Sequence, residues 1–420
     1  MMRRIPALAL VGMIAASGSA SGTSIFSYHQ QGLGYWEWRG DGRIMGMGGA
    51  SVAVFDMSNP ISVNPAVISA FEQTSLTATF LSQKREALDY KGLRGTFYDQ
   101  YPRIFRAVVP LGYGIVTSVG LEPLSDVRMI WSSQATANGV SYRDSLEADG
   151  GLWAGTLQFA RQFGPFAAGI RVQMVRGRII TEWRRTILDA STPLATSVLS
   201  TRRFVGGTFG LGAVYRLGEV WTFGAALDVP TTLDETDIVS LGTRIPSSLY
   251  PSHSDKFTIV SSDQNDTSAT TLKLPLGFAL GASWRPGERL ISAAEVEYRQ
   301  WSQVSSEFRN TWRVALGAEI RPSTNFKSFF LLQWPYRLGL RWEQHYIPAQ
   351  STQSSRSYPN GWYVTTGLGI PIGAGLGQID YAFEYGQRGS LGTNLARERV
   401  WRQTISIVGW DRWFVRRPRR

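Results

Sequence analysis

The stretch Thr271–Trp284, TLKLPLGFALGASW, sets Leu272, Leu274, Leu276, Phe278, Leu280, Ala282 and Trp284 at every second position. Lys273, Pro275, Gly277, Ala279, Gly281 and Ser283 fill the places between. A period of two is the signature of a strand. One face is more apolar than a sandwich strand needs, and the other is small or polar. The script recurs where Tyr336, Leu338, Leu340 and Trp342 alternate with Arg337, Gly339, Arg341 and Glu343. Such strands suit a barrel whose outside touches lipid and whose inside is wet or plugged.

Working outward, the alternation test and turn residues mark about fourteen strand windows. They lie near 74–83, 102–111, 113–132, 141–162, 165–186, 200–216, 219–229, 271–285, 289–300, 311–321, 334–346, 361–372, 376–387 and 400–411. Tight links such as Pro110–Tyr113, Phe163–Pro165 and Leu217–Glu219 take turns with longer polar segments at 84–101, 133–140, 187–199, 230–270, 301–310, 347–360 and 388–399. Only 322–333 breaks this order. An up-and-down membrane barrel sorts its links in this way, with tight turns in the periplasm and longer loops outside. An even strand count puts both termini on the periplasmic side. Trp221 and Trp284 sit beside short links, and Trp153 and Trp362 beside long ones, as two interfacial belts require. Arg171, Gln173, Glu295, Glu297, Arg313, Glu319, Arg337, Arg341, Glu343, Asp380 and Glu384 fall on the opposite face, where a lumen tolerates them.

Composition sets the limits. The 420 residues include 15 Trp, 44 Gly and no Cys, so disulfides and thiolate metal sites are excluded. The mean hydropathy of −0.12 fits a barrel, since lumen residues cancel lipid-facing ones. No long uncharged apolar run lies past the start, which argues against a helical membrane protein. Residues 1–20 read as a secretory signal: Arg3 and Arg4, an apolar core from Ile5 to Ala16, then Gly18-Ser19-Ala20. The net charge of +11 is partly concentrated in the tail 415–420, with Arg416, Arg417, Arg419 and Arg420. The tail reads equally as a periplasmic membrane-surface contact or a solvated end. No folded basic module with stacking aromatics appears, so nucleic acid is not an expected partner. His29, His253 and His345 show no metal spacing, Gly42–Gly49 lacks a P-loop Lys-Ser/Thr, and no nucleophile elbow is present. Neither an enzyme, a metal nor a cofactor is expected.

Residues 21–72 do not alternate, and a compact plug of this length would fill a lumen too wide for side chains alone. Their run Arg43, Met45, Gly46, Met47, Gly48, Gly49, Ala50, then Asn64-Pro65-Ala66 resembles the N-terminal hatch of FadL-type outer-membrane transport proteins. The stretch IDYAFEYGQRGS, with Asn394-Leu395, Glu398 and Trp413-Phe414, is similar to the closing strands of relatives in Bacteroidetes-like bacteria. The resemblance implies an all-β transmembrane antiparallel barrel of about 14 strands over 73–414, plugged by a hatch over 21–72. It implies a turn fixed by Asn64 and a kinked third strand that opens the wall sideways. The matching positions here are Pro123 and Ser125, within Glu122–Asp126. On the residues alone, either pairing lapses at Pro123 or the strand ends at Leu121 with a simple turn. Pro275 is a second candidate interruption. Phe414 is followed by VRRPRR, so the usual aromatic end signal for the barrel-assembly machinery is displaced.

The expected function is passive uptake of hydrophobic or amphipathic small molecules, long-chain fatty acid-like, through the bacterial outer membrane and its lipids. Capture would fall to apolar tips of the 230–270 loop: Leu241, Ile245, Leu249, Tyr250 and Phe257. The alternative, after a PorV-like branch, is a scaffold that binds a protein-secretion or surface-protein partner.

Overall fold

The computed structural model describes residues 24–411, except 91, 93, 189–193, 245–261, 322, 324–328, 350–355 and 373–375. The signal segment, the basic tail, Trp413, Phe414, Ile245, Leu249, Tyr250, Phe257 and His253 therefore lie outside the described residues.

An N-terminal segment carries β1 (Tyr35–Trp36), helix α1 (Gly42–Gly46) and a 3-10 turn, Pro65–Ala70. The wall then begins with β2 (Thr74–Asp89), β3 (Arg94–Gly112), β4 (Ile115–Ala137), β5 (Val140–Phe163), β6 (Phe166–Ile187) and β7 (Leu194–Leu217). It continues with β8 (Trp221–Val229), β9 (Thr232–Arg244), β10 (Ser262–Lys273), β11 (Gly277–Trp284) and β12 (Leu290–Arg299). It ends with β13 (Thr311–Ile320), β14 (Tyr336–Gln344), β15 (Asn360–Ile372), β16 (Gly377–Arg388), a short α2 (Leu391–Asn394) and β17 (Ala396–Asp411). Neighbours run antiparallel, and β17 pairs with β2 from Ala396↔Asp89 to Asp411↔Thr74, which closes the sheet. The pairs β8/β9 and β10/β11 are each one interrupted strand, so the wall is a closed barrel of 14 strands.

The long links are mostly not loops. Strand pairing continues through 84–89 and 94–101, and through 133–140 to a two-residue turn at Asn138-Gly139, with φ of 52° and 78°. Positive φ at both positions matches the twist of a tight hairpin. Likewise β9 and β10 take up much of 230–270. These extensions escape the alternation test because polar residues interrupt the apolar period on both of their faces. The strands β5 and β7 reach 24 residues, whereas β14 has 9. About 9–11 residues suffice to cross a bilayer.

The outward face carries exposed Val119, Leu121, Leu157, Phe159, Ile170, Val172, Leu211, Leu280, Leu316, Leu338, Leu340, Ile405 and Ile407. Trp221 lies opposite Trp284 at the short-turn end, their rings 6.2 Å apart. At the other rim, Tyr298 meets Trp312 at 4.8 Å, Trp342 lies opposite Trp362, and Tyr385 meets Trp401 at 5.5 Å. An apolar band between two aromatic girdles is the exterior of a lipid-embedded barrel.

One detail corrects the reading of the decisive stretch. Below Pro275, Leu280 and Trp284 are exposed on the outside, but Leu272 and Leu274 are buried inside. The ladder lapses between β10 and β11, where proline has no N–H to give, and the side-chain parity reverses across the break. Its neighbour is broken at the same height, between Val229 and Thr232, so that Leu233 also turns inward.

A test of the apolar band follows. Leu340→Arg is expected to lower barrel stability by about 2–4 kcal/mol if its site lies near the bilayer midplane. Reversible unfolding in lipid vesicles measures it. An unchanged free energy would mean that this face does not meet acyl chains.

Candidate functional site

The segment before β2 is packed into the lumen. Asp41 caps α1 by accepting a hydrogen bond from the N–H of Ile44 at 2.9 Å. The helix ends in close backbone contact with the wall. Gly48 has φ of +70°, and a Cβ there would lie 2.7 Å from the carbonyl oxygen of Leu340. On the wall side, a Cβ on Gly339 would lie 2.2 Å from the nitrogen of Gly48. Gly46, Met47, Gly48, Gly49 and Ala50 are all buried here, and Thr365 Oγ1 accepts from Gly48 N–H and donates to the Gly46 carbonyl, both at 2.9 Å. Asn64 fixes the second turn: its Oδ1 accepts from Ala66 N–H at 3.0 Å, and its Nδ2 donates to the carbonyls of Val52 at 3.0 Å and Ala213 at 2.8 Å. Pro65 starts the 3-10 turn, as its ring permits.

Around this segment runs a collar of buried ion pairs. Arg43 holds Asp56 at 2.7 Å and Glu319 at 2.8 Å. Arg337 joins Glu319 at 2.7 Å and Asp380 at 2.6 Å. Arg341 and Arg402 share Glu384, at 2.9 and 2.7 Å. Arg299 bridges Glu297 at 2.7 Å and Asp228 at 2.9 Å, and Arg171 also binds Asp228. Arg313 binds Glu295, which further accepts from the backbone N–H groups of Ser51 at 2.6 Å and Val52 at 2.8 Å. Arg106 and Arg39 share Glu122, at 2.7 and 3.1 Å. Losing one partner of such a pair strands a charge in a dry site, at a cost of about 3–5 kcal/mol. Within the plug, burial and then the nearby Asp380 carboxylate push the Asp41 carboxyl up to about 7. Burial opposes ionisation of Asp56 as well, but Arg43 and Arg285 hold its carboxyl below the usual value.

Above the collar the lumen changes character. Leu33 and Trp36 of the plug pack with Leu124, Val127, Leu152, Ile179, Phe204, Leu233, Leu272 and Leu274 of the wall. Trp301, Phe308, Tyr346 and Ile347, from the links after β12 and β14, cover this cluster. Tyr346 stacks on Trp301 at 3.7 Å, and Tyr346 Oη donates to the Gly34 carbonyl at 2.6 Å.

The wall is split beside that apolar cluster. β3 and β4 pair only from Phe105↔Leu121 to Gly112↔Ile115, although both strands extend far beyond. β4 does not end at Leu121; it continues through Pro123 with a bulge before Ser125, and remains paired to β5. Its freed edge is bonded from inside. β1 sets Tyr35 against Asp126 and Trp36 against Ser125, Glu37 N–H donates to the Leu124 carbonyl at 2.9 Å, and Ser24 N–H donates to the Arg128 carbonyl at 2.7 Å. A cleft of about 500 Å³ opens here, lined by Tyr101, Pro123, Ser125, Asp126, Arg128 and Trp153 among others. Ser125 is buried, and its hydroxyl has no hydrogen-bond partner among the described residues.

The sequence-picked residues thus sort into three places. Arg43, Gly46–Ala50 and Asn64–Ala66 lie together at the plug–wall contact, and Pro123 and Ser125 lie at the split. Leu241 is on β9 opposite Val198 and Gln264, an exposed strand position rather than a loop tip. Trp301, Phe308 and Tyr346 were missed, because aromatic residues in an irregular link carry no periodic signal.

A family profile described as BamG matches residues 1–418. Solved structures share the architecture. The toluene transporter TodX of Pseudomonas putida aligns with a TM-score of 0.58 at 14% identity, over 90% of this chain and 99% of its own. The monoaromatic hydrocarbon channel CymD gives 0.58 at 14%, over 89% and 98%. The toluene transporter TbuX of Ralstonia pickettii gives 0.52 at 16%, over 87% and 97%. No curated protein sequence matches the chain. At this identity the likeness carries the fold, that of FadL-like outer-membrane barrels.

Two measurements probe the plug. Arg43→Met, which leaves Asp56 to Arg285 alone and Glu319 to Arg337 alone, is expected to destabilise the plug by about 1.5–3 kcal/mol, seen as faster hydrogen exchange over residues 24–71 with the wall unchanged. Asp41 has a raised carboxyl pKa, so its contribution is full below about 4 and fades as pH rises through about 7. Amide exchange in α1, corrected for its intrinsic pH dependence, should therefore quicken between about pH 4 and pH 7 and level off above. Asp41→Asn should remove that difference; if it persists in the variant, another group is responsible.

Proposed function

This chain belongs to the BamG family, and we propose that its barrel is a bacterial outer-membrane channel for passive uptake of hydrophobic or amphipathic small molecules, long-chain fatty acids among them. The observation that carries this reading is the division of the lumen. A packed apolar cluster runs from the Trp301–Tyr346 cover to Leu124 and Val127 at the split wall, with the Arg103–Glu37 and Arg202–Glu235 pairs beside it and the charged collar below.

A ligand reaches this cluster when the Trp301–Tyr346 cover lifts, and takes the place of Leu33 and Trp36. Its exit is sideways, between β3 and β4, once β1 lets go of Ser125 and Asp126. Descent would force it through paired charges. Sideways release instead keeps apolar surface out of water, which is worth about 25 cal/mol per Å². The plug acts as the hatch, residues 24–71 of it being described, and the short turns face the periplasm. The similar barrels TodX and CymD are a toluene transporter and a monoaromatic hydrocarbon channel, so small aromatics belong in the test beside fatty acids.

A second reading has its own observation. The strands β4–β7 run to 22–24 residues and project well past the aromatic rim beside the split. A tall, mostly polar sheet of that kind suits a scaffold for a secretion or surface-protein partner. If deletion of the protein leaves uptake intact and abolishes display of secreted surface proteins, the scaffold reading takes over.

The chain has no cysteine, so one engineered disulfide can lock the split. Trp36→Cys with Ser125→Cys joins register partners, whose Cα separation in a sheet falls within disulfide range. Uptake of radiolabelled oleate and toluene should drop to background under oxidation and recover on reduction. Full uptake by the cross-linked protein would rule out release through this edge.

A further inference from the structure

The outer surface beside the split holds arginines that the rest of the molecule does not balance. The collar pairs its arginines with carboxylates, yet Arg176, Arg178 and Arg203 are exposed and make no hydrogen bond or ion pair among the described residues. Arg178 of β6 and Arg203 of β7 are direct register partners. Like charges placed directly opposite on one sheet face destabilise it. Arg176 lies two residues from Arg178 on the same face, opposite Trp153 of β5. Gly151 stands opposite Arg178, so no side chain crowds that guanidinium. Asp149 and Asp234 are diagonal neighbours of Arg178 and Arg203 on this face, yet neither is ion-paired with them among the described residues: Asp149 lies 3.5 Å from Arg128 instead, and Asp234 stands opposite Val205.

Height along the strand gives the ligand. Below Arg176, the outward residues of β6 are Phe166, Ile170, Val172 and Met174, all exposed. Below Arg203, those of β7 include Val205, Phe209, Leu211 and Tyr215, also exposed. The three arginines therefore begin where the apolar band stops, at the far end from the short turns, beside the rim residue Trp153. They also edge the cleft at the split, since Arg176 and Arg178 line it. A bilayer puts its headgroups at this height, with acyl chains against the apolar files.

We propose that Arg176, Arg178 and Arg203 form a binding site for a lipid whose headgroup carries a phosphate monoester, held against β6 and β7 in the outer leaflet. A monoester carries close to two negative charges at neutral pH, which matches an opposed arginine pair better than one carboxylate would. Guanidinium forks can donate two bonds to one phosphate. Acyl chains below would lie on Val172, Met174 and Val205, next to the split.

The test uses the full-length protein in phosphatidylcholine nanodiscs, with and without bisphosphorylated lipid A. Lipid A should raise the Tm and remain bound in native mass spectrometry, and the same lipid with its phosphates removed should do neither. Arg178→Gln with Arg203→Gln should reduce retained lipid A about tenfold. Arg161→Gln, an exposed arginine near the Phe163–Phe166 turn, should retain it fully. If the double variant does not fold, Arg176→Gln alone should show a smaller loss in the same assay. Equal retention by the folded glutamine variants and the wild type would overturn the proposal. So would an equal loss in Arg161→Gln, or an equal Tm rise with inorganic phosphate alone, which would assign the site to a free anion.

Discussion

Desolvated charge is the constraint on which this barrel depends. A closed sheet in lipid satisfies its own backbone, but the lumen must still be filled, and here it is filled partly with guanidinium groups. Each needs a carboxylate close by, because the interior returns little of the hydration that an isolated ion loses. Arg43, Arg337, Arg341, Arg402, Arg313, Arg299 and Arg171 meet that demand by bridging adjacent strands, by reaching across one strand to the next, or by reaching from plug to wall. The result is a plug that fits in one orientation. Glu295 shows how closely the two parts are matched: one wall carboxylate binds an arginine of the next strand and two backbone N–H groups of the plug.

The collar also shapes the lumen. Above it, Leu33, Trp36, Trp301, Tyr346 and the inward leucines pack together, and that apolar cluster abuts the stretch where β3 and β4 part. Pro123 and the bulge after it allow the parting, and β1 seals it with a two-residue ladder and a few flanking bonds. That two-residue ladder is short beside the long hairpins elsewhere in the wall, and it lies next to the apolar cluster.

Interruptions contribute more than openings. The breaks at Val229–Thr232 and Lys273–Gly277 lie side by side and reverse the parity of both strands. Leucines that would have faced outward turn in, at the height of the apolar cluster. In a barrel, a break in the ladder is thus a way to exchange the chemistry of the two faces along one strand.

The sequence alone determined the strand period, the strand count, the sides on which charges and aromatics fall, and the glycine and asparagine positions of the plug. These are local properties: a period of two, a proline without an N–H, and an Asn-Pro turn all act within a few residues. Tertiary structure decided which carboxylate each arginine meets, that Leu272 and Leu274 face the lumen while Leu280 faces outward, and that Trp301 stacks on Tyr346. Partners separated by tens to hundreds of residues are set by barrel closure and register, and a one-residue slip at a break changes the face of every side chain beyond it. Pro275 marks where the ladder lapses, but the face each side chain takes beyond it depends on the neighbouring strand breaking at the same height.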